Sequence, residues 1–342
     1  MKLTPGALAS ALLTLSAVMY SSSSVSARSS NEMGSGLLLV ANKGAQSLGI
    51  VNTQAGKQIV AVPEGGVTGH EVIASPDGST AFVPIYGNSG VGKPGTDGKK
   101  IAVIDLKAHK VTANIDFDHG VRPHCAMFGP KDGMLYVTTE LDKTITIIDP
   151  KSLKIVGTIP TDQPESHMLA ISHDGRWGYT ANVGPGTVSV LDMEARKVVK
   201  VIPISKQTQR ISVSPDGSMV FTADQTKPQL AVIDTASNTV KTHVALPGTG
   251  YGTASTPDGK YLVVAVPPVN KVAVVDLASM KVVHAIDVPS SPQEVLVQPD
   301  GKIAYVSCDH SNQVAAIRTG DWTVEKLIDT GKGADGLAWA AE

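Results

Sequence analysis

Three histidines fall at equivalent places in the chain, and their chemistry frames the reading. The segments GHEVIASPDGSTAFVPI, PHCAMFGPKDGMLYVTT, SHMLAISHDGRWGYTAN, TQRISVSPDGSMVFTAD, GYGTASTPDGKYLVVAV and PQEVLVQPDGKIAYVSC superimpose on their Asp-Gly turns. The alignment puts His70, His124, His167, Gln209, Tyr251 and Gln293 in one column, with Asp335 of GADGLAWA seventh. Three neutral imidazoles brought to one point suit a borderline transition metal, namely zinc, or copper or iron. Three protein ligands with an open fourth position are the pattern of a catalytic metal. Such a metal would acidify water or polarise a carbonyl, with Glu140 or Glu71 carrying the proton, in hydrolase or lyase chemistry. The ligands come from separate repeats, so no short motif such as HExxH announces the site. The same histidines would equally form a metal-free polar mouth for a small anion or carboxylate.

Four further residues are ligand-contact candidates. Arg122 stands two residues before His124 and is placed either to clamp a carboxylate or to pair with an acid such as Glu165. Tyr251 and Gln209 belong to the histidine column, Tyr251 either stacking on a ligand or plugging the channel. Tyr86 opens a long insertion. The acids Glu140, Asp224 and Asp309 end second strands where Asn42 and Asn182 stand in other repeats. Turn capping is the expectation for the two aspartates, and Glu140 is the one placed for chemistry.

Elements that could hold these groups follow from the repeat. Its last four steps are each 42 residues, and within a unit short runs of Val, Ile, Thr, Tyr and Ala alternate with Gly, Pro, Asp and Asn. Four strands fit each unit, with a tight turn at Asp-Gly. The N-terminal unit has LLLVAN, LGIVN and QIVAV but no inner strand, and the C-terminal GLAWA supplies one. The fold expected is all-β: a seven-bladed β-propeller with four antiparallel strands per blade and a closing blade shared between the termini. The step from His70 to His124 is 54 residues. Its excess falls in a Gly-rich insertion loop, residues 86–100, on the histidine face, where such a loop is a lid or binding loop.

The strings LYVTTELDKTITIIDPKSLKIVGTI and GYTANVGPGTVSVLDMEARKVVKVI resemble the YVTN-repeat, YncE-like propellers, a group related to the propeller of cytochrome-type nitrite reductases. The resemblance covers residues 37–342. It implies the fold firmly, while its members include binding scaffolds, haem-bearing proteins and lactone-cleaving relatives. The expected function is ligand binding at the channel mouth through a histidine-held metal. The alternatives are a non-catalytic scaffold for a protein or cell-wall fragment, and a haem-binding propeller like that of the nitrite reductases.

Bulk composition limits the partners. With 29 Lys+Arg against 31 Asp+Glu and no basic block, nucleic acid is not favoured. Residues 1–27 read as a signal peptide, with Lys2, an apolar stretch and Val25-Ser26-Ala27 before the cut, and residues 28–36 as a linker. The mature protein is expected in the periplasm or outside the cell, without a membrane span and as a monomer. Cys125 and Cys308 fall on opposite sides of the ring and read as small buried thiols rather than a disulfide.

Overall fold

The computed structural model describes residues 36–341 together with Met1, so the expected signal peptide, and all but Gly36 of the linker, lie outside the described residues. The described residues form seven four-stranded antiparallel sheets arranged as a β-propeller. The first blade takes its inner strand, Ala334–Ala341, from the C-terminus and its other three, Gly36–Asn42, Ser47–Asn52 and Lys57–Pro63, from the N-terminus. Leu39 faces Ala338 and Leu38 faces Trp339 across that seam, so no sheet edge is left where the chain closes.

Four of the Asp-Gly turns are built the same way. Asp77 accepts from the Ser75 hydroxyl at 2.6 Å and from the Ser79 N–H at 3.1 Å, while Gly78 takes φ 71°. Asp174, Asp216 and Asp258 repeat the arrangement in later blades. That φ is accessible to Gly at no steric cost, which is why the dipeptide marks the register so reliably. Between blades, second and third strands pack apolar faces such as Leu39, Ile50, Val83 and Ile104, all within a few per cent of complete burial.

One expectation needs correction. The 86–100 insertion is not structureless, because the strands Thr80–Gly87 and Asp97–Asp105 extend into it and pair Gly87 with Asp97. The irregular part is 88–96, and its end carries Asp97 toward the channel mouth.

Cys125 and Cys308 are buried free thiols, as their separation predicts. Among the described residues no helix is long and apolar enough to cross a membrane.

Candidate functional site

The inner strands of the second, third and fourth blades deliver the three histidines to one place. His124 and His167 open the strands Pro123–Phe128 and Ser166–Ile171, and His70 precedes the short inner strand Ile73–Ala74. The ring centroids of His124 and His167 are 3.6 Å apart, and those of His70 and His124 are 5.6 Å apart. Tyr86 joins them, its ring 5.3 Å from His70, 5.3 Å from His124 and 5.7 Å from His167. The predicted gathering of imidazoles is therefore present, with Tyr86 at its centre.

Glu140 organises this cluster. Its Oε2 accepts from the Tyr86 hydroxyl at 2.6 Å and from His167 Nδ1 at 3.3 Å, and its Oε1 accepts from Arg122 at 3.4 Å and the Gly92 N–H at 3.4 Å. Burial pushes the carboxyl upward, but His167, Tyr86 and Gly92 outweigh it and hold the acid below its ordinary value. An ionised carboxylate only accepts, so His167 carries its proton on Nδ1 and presents the Nε2 lone pair. Burial lowers His70 to about 4, lowers His167, and lowers His124 well below the usual imidazole range. All three rings are neutral near pH 7. His124 Nδ1 is buried without a hydrogen-bond partner.

Arg122 is not an open clamp. Its Nε donates to Asp97 at 2.6 Å and its second terminal nitrogen to the Lys93 carbonyl at 2.7 Å, so it ties the insertion to Glu140 rather than pairing with Glu165. Asp224 caps its own turn through Thr226 and Lys227, as expected, while Asp309 pairs with Lys43 at 2.9 Å.

The three-histidine metal centre finds no support in the geometry. Among the described residues no group of three or more His, Cys, Asp or Glu side chains is arranged to hold a metal ion. The nearest pair of rings, His124 and His167, have centroids 3.6 Å apart and planes tilted by 30°. Glu71 is paired with Arg210. Its Oε1 lies 2.5 Å from Arg210, which also meets Glu294 at 2.6 Å and Asp335 at 3.3 Å and lies 4.9 Å from the Tyr251 ring centroid. Tyr251 thus packs on Arg210, whose cluster of acids plugs the channel, and the half-buried Gln209 directly precedes Arg210 in sequence.

The charged core of this plug went unread in the sequence, although a signal existed one position along. The neighbouring column runs Glu71, Cys125, Met168, Arg210, Gly252, Glu294 and Gly336. It contains one cation, two acids and two glycines. A Cβ on Gly252 would meet Gln293 O at 2.2 Å, and one on Gly336 would meet His70 O at 2.5 Å. Small residues there let the strands close around the plug.

The geometry defines a class: a seven-bladed propeller whose channel mouth holds a buried cluster of neutral histidines around one ionised glutamate. Residues 94–298, more than half of the 342, match the Cytochrome D1 heme domain, and the chain belongs to that family. It is 34% identical over 90 residues to the dihydro-heme d1 dehydrogenase of Pseudomonas aeruginosa, covering 25% of this chain and 18% of that protein. Over 137 residues it is 28% identical to a seven-bladed beta-propeller protein of Mycobacterium tuberculosis, covering 40% and 32% respectively. The chain thus matches a third or less of the length of these curated relatives. Kuenenia stuttgartiensis hydrazine synthase shares the fold, with TM-score 0.73 and 22% identity over 84% of this chain and 94% of that one.

The donor set fits an iron-centred macrocycle in its chemistry. Neutral imidazole is the ligating form, His167 presents Nε2, and His124 keeps an unpartnered buried nitrogen. No CxxCH motif is present for covalent attachment.

Proposed function

We propose that this propeller binds a haem-type tetrapyrrole at the histidine end of its channel, with a neutral imidazole of the His70, His124 and His167 cluster as the protein's iron ligand. Family membership supports the class of ligand, and the single observation that carries the site is the unpartnered, buried Nδ1 of His124 among neutral imidazoles. The bound group would supply iron redox or ligand-exchange chemistry. The chain's own residues do the rest. Glu140 fixes the His167 tautomer, and Arg122 holds the insertion down over Glu140. Entry runs past His70, whose side chain is 25% exposed against 4% for His167. The YVTN-type kinship and an exported location belong to the same proposal.

Titration of the purified chain with hemin tests it. A saturable shift of the Soret band at one equivalent is expected, weakened at least ten-fold in a His70→Ala/His124→Ala double variant that retains the wild-type melting profile. An unchanged Soret titration in that variant overturns the assignment. Metal analysis of the untreated protein covers the other chemistry: one equivalent of zinc or copper, lost with His124→Ala, would replace this reading by a simple metal centre.

A further inference from the structure

The plug divides the channel. On the side of the Asp-Gly turns the channel opens into a cavity of about 450 Å³, walled by the inner strands of six blades and reaching the turn residue His173. Its apolar wall includes Ile73, Met127, Ile171, Val213, Leu296 and Trp339, one from each of those blades and each partly exposed. Glu71 and Glu294 also line it, at the end closed by Arg210. Apolar walls with a few convergent polar groups are the ordinary make-up of a small-molecule site.

We propose that this cavity binds a small organic cation, an ammonium carried on an aromatic or branched aliphatic body, with Glu71 and Glu294 as its counter-charges. The argument starts from charge. Glu71 and Glu294 share a single guanidinium nitrogen of Arg210, while Asp335 meets the other nitrogen and Lys43. Lys43 also serves Asp309. Two cations therefore face four carboxylates, and His70, 3.6 Å from Asp335, is neutral and adds nothing. Cys125 and Tyr251 beside the plug have their acidities suppressed by burial and stay uncharged.

A buried excess of negative charge is costly unless it is paired or protonated. The apo protein meets that cost with a proton, since burial raises Glu71 to about 8 and also raises Glu294. An ammonium arriving from the cavity replaces that proton, and its apolar body covers the partly exposed wall. An anion would face the carboxylates, and a neutral molecule of the same shape would gain only the wall. The site is independent of the tetrapyrrole reading, because the two ligands enter from opposite ends of the channel.

Calorimetry of the full chain with phenethylammonium and with 2-phenylethanol, in two buffers of different ionisation enthalpy near pH 7, tests the proposal. The amine is expected to bind at least ten-fold more tightly than the alcohol and to release protons. Glu294→Gln should weaken the amine at least ten-fold, and Val213→Trp, which narrows the cavity, should weaken it as well. Equal affinities for amine and alcohol, no heat with millimolar amine, or unaltered amine binding in Val213→Trp would each overturn it. Should Glu294→Gln fail to fold, the amine and alcohol comparison on the unaltered chain and Val213→Trp still decide the matter.

Discussion

Replacing Glu140 by Leu removes an acceptor on which the mouth converges. Tyr86 is 1% exposed and His167 3% exposed, and each loses the carboxylate to which it donates. A buried donor left without its acceptor costs about 1–3 kcal/mol. Arg122 loses its Glu140 contact but keeps Asp97 and the Lys93 carbonyl, so its share is smaller. The sum is about 3–5 kcal/mol, the range seen when one partner of a buried ionic network is removed. Glu140→Gln keeps one acceptor oxygen and should lose about half as much. Equilibrium urea unfolding near neutral pH reads both. The effect has a defined pH sign. The Glu140 carboxyl is held below its ordinary 4.5, so its contribution is complete above that value and disappears as pH falls through the lowered one. The gap between wild type and Glu140→Gln should therefore narrow in acid. A loss below about 1 kcal/mol for Glu140→Leu, or a gap that widens in acid, refutes the assignment of Glu140 as an ionised hub.

Two more outcomes follow from the same reasoning. Glu64 is fully buried, keeps Oε2 unpartnered and is raised by burial to about 7 from 4.5, so the unfolded chain ionises first and Glu64's contribution falls by about 3 kcal/mol as pH climbs through that window. Melting curves at pH 5 and 8.5 should show Glu64→Gln gaining on wild type at the higher pH, and a constant difference would sink the point. Deleting 334–341 strips the inner strand from the closing blade and exposes the edge of Gly36–Asn42; the product should aggregate, and a soluble chain with the wild-type melt would contradict closure by that strand.

Much of the architecture was legible because it is periodic. The Asp-Gly register encodes a local turn in which one side chain satisfies its own backbone, and the 42-residue step fixes which residues occupy the same rung of the ring. From that alone His70, His124 and His167 could be put at one end of the channel, Glu140 singled out from Asp224, and the two cysteines kept apart. These are statements about position along a strand and face of a ring, and the repeat determines both.

Only the tertiary structure decided what those side chains do to one another. The turning of His124 against His167, the capture of Arg122 by Asp97 from the far end of the insertion, and the convergence of Arg210 with Glu71, Glu294 and Asp335 depend on contacts between blades up to 139 positions apart in the chain. A repeat specifies where each Cβ starts. It does not specify which of several acids a buried guanidinium selects, or how neighbouring imidazoles are turned against one another. Those outcomes are set by packing, desolvation and pairing across the channel, and there the sequence pattern ended and the physics of the assembled ring took over.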